Sequence, residues 1–378
     1  MTTFFSIIIP VYNRPEELNE LLESLLNTIN QPSSKHPSGN NTVHERPAGS
    51  ENQSGLKKPD TGPDFEVIVV EDGSEISSKE VCSRYNNRLD LKYIYQNNAG
   101  PGTARNNGAR SAHGDWLIFF DSDCIIPDGY FETVSDALNY NIPKQKQNVL
   151  DSRNGYFDVF GGPDRSSDQF TSTQMAIDYA MTSFYTTGGI RGGRRQLDRY
   201  YPRSFNMGVR KEAFESVGGF SSLRFGEDLD LSMRLMKAGY HSRLLEKAWV
   251  YHKRRIDFIK FYKQVYNSGM ARIVLNRLHP GTVKTVHLLP ALFVIYLLLS
   301  LFSIPFISGL PWYPVGFYLL LLFSDGLRAS GRISAALLVP PASIVQLTGY
   351  GTGLLHALVL VHLLGKKDPQ AFIHTFYK

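Results

Sequence analysis

The sequence predicts an α/β domain built on a mostly parallel sheet with helices on both faces, followed by C-terminal transmembrane helices. Two observations carry this. Short β-branched runs alternate with helical repeats over residues 1–250, the pattern of units whose crossover helices cover a parallel sheet. Further on, Val286–Phe323 and Ile333–Gly365 contain no Asp, Glu, Lys or Arg. Hydrophobic residues make up 42% of the 378 and the formal charge is only +5, which excludes an intrinsically disordered chain. The length corresponds to about two domains. Only Cys82 and Cys124 are present, at no metal-ligand spacing, so a disulfide scaffold is excluded and a reducing environment fits.

Phe5–Tyr12 is a compact β-branched run, as expected of a buried strand. It lacks a basic leader and ends at Pro10-Val11-Tyr12, so it reads as a strand and not as a signal peptide. Asn13 is placed to cap the next helix, with Pro15, Glu16 and Glu17 in its first turn. Leu18, Leu21, Leu22, Leu25 and Leu26 then recur at helical spacing. Residues 31–63, rich in Pro, Ser, Asn, Gly and Lys, read as a flexible insertion loop. Phe65–Glu71, Leu91–Tyr95 and Trp116–Phe120 are the next strands, with a helix over Ala104–Ala112. In such sheets ligands bind beyond the C-terminal strand ends.

A membrane span needs about 20 apolar residues. Val286–Ser308 meets this, and Trp312–Leu327 is a shorter second candidate. Ile333–Gly365, interrupted by Pro340-Pro341 and by Gly349, Gly351 and Gly353, reads as a third span plus an interfacial or re-entrant piece. Residues 251–285 read as an amphipathic juxtamembrane helix, with apolar Ile259, Tyr262, Val265, Met270 and Ile273 directed to lipid headgroups and Lys260, Lys263 and Arg272 to anionic lipid. Basic residues before the first span, and Arg328 and Arg332 between the later ones, put the catalytic domain on the cytoplasmic side of a multi-pass inner-membrane protein. Residues 366–378 form a C-terminal tail.

Three acidic sites fall at predicted strand or helix ends. Asp72, before Gly73, reads first as a tight turn and alternatively as an acceptor for the N–H of a base. Asp121 and Asp123 emerge together from the apolar Trp116–Phe120. Their mutual repulsion would be relieved by a divalent cation such as Mg²⁺ or Mn²⁺; a solvated turn is the alternative. Glu227 and Asp228 begin a helix, where acidic residues are ordinary, but one of them can serve as a general base toward a hydroxyl. Arg105 stands on the helix after a Gly/Pro-rich turn, within reach of a phosphate or a base. His252 is a metal ligand or a structural histidine. Gly188–Arg195 is a basic, glycine-rich loop in which Arg194 and Arg195 can close over a ligand or grip a diphosphate; a solvated loop is the alternative. No nucleic-acid-binding module is present.

Ser6–Asn13, Val69–Ser74, Asn98–Asn106, Phe119–Asp123, Asn206–Phe220 and Gly226–Leu231, in this order and spacing, resemble the family 2 glycosyltransferases with the GT-A fold. The resemblance covers about residues 4–255. It implies a nucleotide-diphospho-sugar donor, UDP-sugar first, a divalent metal and inversion at the anomeric carbon. It also implies that Pro10, Tyr12 and Asn13 line the nucleotide pocket, with Asp72 on the base and Arg105 beside it. Asp121 would lie on the ribose and metal side, Asp123 and His252 would be metal ligands, Asp228 the catalytic base, and Glu227 the residue that orients the acceptor. The Gln-x-x-Arg-Trp motif of processive synthases is missing, which argues for transfer of a single sugar. With the membrane layout, the expected acceptor is a lipid-linked or envelope glycan hydroxyl. The alternatives are transfer to polyprenyl phosphate and a catalytically inactive membrane scaffold.

Overall fold

The computed structural model describes residues 4–30, 64–139, 156–165, 170–188, 200–253, 257–307 and 309–366. The insertion at 31–63, Arg194 and Arg195, and all of the tail beyond Lys366 therefore lie outside the described residues.

The chain begins with β1 (Phe4–Val11), α1 (Pro15–Asn30), β2 (Asp64–Asp72), α2 (Lys79–Tyr85), β3 (Leu91–Gln96), α3 (Pro101–Arg110) and β4 (Trp116–Phe120). It continues with β5 (Cys124–Ile125), α4 (Tyr130–Asn139), β6 (Val159–Gly161), β7 (Asp164–Arg165), α5 (Ser172–Thr182), α6 (Phe184–Thr187), β8 (Asn206–Arg210) and α7 (Lys211–Ser216). Then come α8 (Glu227–Lys237), β9 (Ser242–Leu244), β10 (Val250–His252), and four helices: α9 (Phe258–Leu278), α10 (Thr285–Ile307), α11 (Tyr313–Ser330) and α12 (Ile333–Leu358).

The large sheet runs β3-β2-β1-β4-β8-β6-β9. Strands β1 to β4 are parallel, and β8 turns antiparallel to β4. Alternation along β1 feeds two cores. Phe5, Ile7, Ile9 and Val11 join the leucine stripe of α1 on one face, while Ile8 packs with Ala104 of α3 and Leu231 of α8 on the other. Burial on both faces is why β1 and β4 read as unbroken apolar runs. The order of strands reverses between β1 and β4, so their C-terminal ends open a crevice there.

A small sheet, β5-β10-β7, stands beside this crevice. Its register pairs His252 with Cys124, and Val250 with Asp164. Two- and three-residue strands carry no readable periodicity, so this sheet was not foreseen.

The C-terminal helices differ from expectation. The third apolar stretch is one continuous helix, α12, which runs through Pro340 and Pro341 and ends in a π-turn over Val359–Leu363. Its glycines are contact points and not breaks. A Cβ on Gly353 would lie 2.1 Å from the Tyr266 carbonyl oxygen of α9, and one on Gly351 would lie 2.4 Å from the Pro290 carbonyl oxygen of α10. Small residues let helix backbones approach this closely. The lipid-facing side expected of α9 is accordingly covered by protein at Val265, Met270 and Ile273, although Ile259 is exposed.

Among the described residues, two helical stretches are long and apolar enough to cross a membrane, Thr285–Phe302 and Ile333–Leu363. The second sequence candidate forms α11, but its Asp325 accepts a 2.6 Å hydrogen bond from Tyr179 Oη of α5.

Gly353→Ala should force α9 and α12 apart. Overpacking of this kind costs about 1–3 kcal/mol, read as a lower melting temperature of the detergent-solubilised chain. An unchanged melting temperature would show that the two backbones are not in contact.

Candidate active site

The rim of the crevice is set by loops after β1 and β2. Asn13 sits at φ 53°, a left-handed conformation that Asn tolerates better than most residues. Its Oδ1 accepts the Glu75 and Ile76 N–H groups at 2.7 and 3.0 Å. The side chain therefore ties the β1 loop to the β2 loop instead of capping α1. Asp72 is similarly engaged. Its oxygens accept from the Ala99 N–H (2.8 Å), the Gly100 N–H (2.9 Å) and the Gln96 amide (2.8 Å). The turn reading describes these bonds, and Gly73 allows the turn at φ +71°, where a Cβ would meet the Asn98 nitrogen at 2.5 Å.

Beyond the rim, charged pairs gather. Arg105, only 3% exposed, donates from Nη2 to Asp121 Oδ1 at 2.6 Å and from Nη1 to Glu227 Oε1 at 3.0 Å. Its guanidinium is thus engaged by these two carboxylates, on the same cleft that Asp72 lines. Asp123 accepts from Arg14 Nη1 and has His252 Nε2 at 3.2 Å from its other oxygen. Asp228 accepts from Arg203 Nε at 2.5 Å and from its neighbour's N–H, that of Leu229, at 2.7 Å. Buried carboxylates persist only when so paired. Arg14, Arg203 and Asp164 are site residues that the sequence analysis missed. Arg14 adjoins the motif residue Asn13 and Asp164 follows Gly161-Gly-Pro163, which are weak signals; Arg203 has none.

These surroundings separate the two carboxyls that begin α8. Burial pushes Asp228 upward, but the charge and hydrogen bond of Arg203, with the Leu229 N–H and Arg105, outweigh it and hold the carboxyl below its usual range. Burial, then repulsion by Asp228, lifts Glu227 to about 7 against the partial relief from Arg105. At neutral pH, therefore, Asp228 is ionised while Glu227 still holds part of its proton.

Asp123, Cys124 and His252 offer ligand atoms within 4.8 Å of one another. Burial would lower the His252 pKa, but Asp123 and Asp164 outweigh it and raise it to about 9, so a cation there takes the place of an imidazolium proton. Burial raises the Cys124 thiol well above its ordinary value, which leaves carboxylate oxygen and imidazole nitrogen as the donors. His252 Nδ1 is buried, with Asp164 Oδ2 3.9 Å away, beyond hydrogen-bond length. Such an oxygen and nitrogen set fits a divalent ion of the Mg²⁺ or Mn²⁺ kind.

One cleft of ≈ 1700 Å³ has Pro10, Tyr12, Asn13, Arg14, Asp72, Arg105, Asp121, Asp123, Asp164, Arg203, Glu227, Asp228 and His252 on its walls. Arg194 and Arg195 lie outside the described residues. The cleft continues past Asp228 to α9, α10 and α12. α9 abuts the start of α8, since a Cβ on Gly226 would lie 3.1 Å from Leu275 Cδ1.

A mostly parallel sheet with paired carboxylates at its switch point defines a GT-A-like nucleotide-sugar transferase architecture. The model of "Glycosyl transferase family 2" matches residues 6–215, and that of "Glycosyl transferase family group 2" matches residues 205–324. The chain belongs to glycosyltransferase family 2. It is 25% identical over 310 residues to validoxylamine A glucosyltransferase of Streptomyces hygroscopicus subsp. limoneus, covering 76% of this chain and 58% of that protein. It is 30% identical over 148 residues to the poly(ribitol-phosphate) beta-N-acetylglucosaminyltransferase TarS of Staphylococcus aureus, covering 39% of this chain and 20% of that protein. The chain thus spans little more than half of the first relative and a fifth of the second. Among solved structures, the mannosyltransferase PcManGT from Pyrobaculum calidifontis, in complex with GDP-Man and Mn²⁺, shares the fold at TM-score 0.51 and 14% identity, over 97% of this chain and 88% of that one.

Glu227 supplies a test of the charge arrangement. Its folded pKa of about 7 exceeds its ordinary value of 4.5, so the unfolded chain ionises first. The stability contributed by protonated Glu227 is full below pH 4.5 and is lost as pH rises toward about 7. Melting temperatures of wild type and Glu227→Gln, compared across that window, should show a steeper fall for wild type. Parallel curves would sink the assignment.

Proposed function

We propose that this chain is a metal-dependent, membrane-anchored glycosyltransferase that moves one sugar from a nucleoside diphospho-sugar to a hydroxyl of a lipid-linked or envelope glycan at the cytoplasmic face. The observation that carries the reading is that Asp121, Asp123, Asp228 and His252 open on a single cleft. A uridine diphospho-sugar is the first donor to test. Nucleotide-sugar use is supported by the glucosyl and N-acetylglucosaminyl transfers named for the relatives and by the GDP-Man and Mn²⁺ of the mannosyltransferase. Membrane anchoring is supported by the two long apolar helices and by exposed Leu289, Leu299 and Phe302 on α10.

The residues divide the work by their chemistry. Pro10, Tyr12 and Asn13 shape the pocket for the base, with Asp72 holding its far turn. Asp121, Asp123 and His252 would hold the divalent ion, which when bound neutralises charge on the leaving diphosphate. Asp228 takes the proton of the acceptor hydroxyl. The hydroxyl oxygen attacks the anomeric carbon, the bond from that carbon to the phosphate oxygen breaks, and the nucleoside diphosphate leaves with the bonding electrons. One in-line displacement inverts configuration. Arg203 must leave Asp228 before the hydroxyl arrives, and losing that cation makes the carboxylate more basic. Glu227, held by Arg105, orients the acceptor.

If the acceptor were a polyprenyl phosphate, its oxygen would be anionic already and Asp228 would matter little. An inactive scaffold would release no nucleotide. Nucleoside diphosphate release and sugar transfer are to be measured against a donor panel with and without Mn²⁺. Asp228→Asn should cut transfer at least about 100-fold, the usual worth of a general base, and Asp123→Ala should abolish the metal dependence. Full transfer by Asp228→Asn would favour the phosphate acceptor. Absence of metal-dependent release from every donor would leave the scaffold.

A further inference from the structure

The far wall of the cleft is built by α9, the turn that follows it, and α12. Ser268, Arg272, Thr282, His287, Gln346 and Tyr350 line it. Ser268 and Arg272 are one helical turn apart on α9, as are Gln346 and Tyr350 on α12, so each pair presents one face. The two helices meet at this level, where a Cβ on Gly269 would lie 2.2 Å from the Tyr350 carbonyl oxygen. Residues flanking Arg272 touch the start of the catalytic helix: a Cβ on Gly226 would find Ala271 Cβ at 3.5 Å and Leu275 Cδ1 at 3.1 Å. The wall therefore begins where Glu227 and Asp228 end.

Three polar atoms on this wall are buried without a hydrogen-bond partner: Arg272 Nε, Thr282 Oγ1 and Gln346 Oε1. Buried polar groups are nearly always satisfied, and an orphan calls for an explanation. The guanidinium N–H and the threonine hydroxyl are both donors, and the arginine is cationic. Oxygens of an anionic group satisfy both. Lys263 and Lys284 line the same cleft and make that end more favourable to an anion. Directly after His287, α10 exposes Leu288, Leu289 and Leu292. An anionic head lodged in the recess thus has an apolar surface beside it for a hydrocarbon chain.

We propose that this recess binds the phosphate of an amphiphilic acceptor, with Arg272 and Thr282 donating to its oxygens. The proposal rests on the glycosyltransferase reading of the cleft, and adds that the acceptor is a phosphate-bearing lipid held by the C-terminal helices. It can be tested without turnover. The full chain in maltoside micelles is titrated with dodecyl phosphate, with dodecanol, with inorganic phosphate, and separately with UDP plus Mn²⁺. Dodecyl phosphate should bind at least about tenfold tighter than either control, and Arg272→Gln and Thr282→Val should each weaken it about tenfold, the usual scale for a lost charge-assisted bond. Arg272→Lys should recover part of that loss. UDP–Mn²⁺ binding should be unchanged in these variants, and Asp123→Asn should show the reverse pattern. Unaltered dodecyl phosphate affinity in Arg272→Gln and Thr282→Val overturns the recess, as does equal loss of both ligands. Inorganic phosphate binding as tightly as dodecyl phosphate overturns the lipid source. Failure of UDP–Mn²⁺ to bind wild type, with dodecyl phosphate still bound through Arg272, counts against the glycosyltransferase reading and not against the recess.

Discussion

The arrangement of the cleft depends on one buried fork, the Arg105 guanidinium between Asp121 and Glu227. It joins the end of β4 to the start of α8, two elements more than a hundred residues apart in the chain. Asp121 stands at the end of β4 and Glu227 beside Asp228. Arg is suited to this because its planar fork reaches two carboxylates in fixed directions and keeps its charge when buried. Phe220 closes the stack, with the guanidinium carbon 5.3 Å from its ring centre. Removing the cation would leave the buried Glu227 carboxyl and the part-exposed Asp121 without their shared partner, and loss of one member of a buried pair is strongly destabilising. The fork is therefore both a structural tie and the element that sets the distance between the two halves of the cleft.

A second tie fixes the catalytic helix to the apolar helices. Asp230 of α8 lies 2.8 Å from His279 Nε2, just past α9, and its other oxygen accepts from Arg234 at 2.9 Å. α9 in turn meets α12 through backbone contacts at Gly269, Gly349 and Gly353. α5 joins the same assembly through Tyr179 and Asp325 and through the 2.8 Å Ser172–Ser334 contact. Asp228 is thus held at a fixed height relative to α10 and α12. A rigid chain of contacts of this kind fixes the position of a side chain toward whatever enters the cleft, and positioning contributes to rate.

Several residues did not do what their motifs suggested, and each departure has a local cause. Asn13 stands where a helix cap is expected, yet its left-handed backbone turns the side chain toward the amides of Glu75 and Ile76. Gly349, Gly351 and Gly353 look like helix breakers when read along the chain, but they are the positions where other backbones come closest. A propensity cannot distinguish these cases, because the deciding neighbour is distant in sequence.

The alternation of apolar strands and leucine-striped helices determined the sheet, its central strands and the place of the crevice, because burial on both faces leaves a pattern in consecutive residues. The charge-free stretches likewise marked α10 and α12. Only the tertiary structure decided which cations meet which carboxylates. Arg14, Arg105 and Arg203 reach Asp123, Asp121 and Asp228 from separate loops and helices, and His252 arrives through a three-residue strand too short to show a period. Ion pairing depends on distances across the fold, and no local periodicity records them.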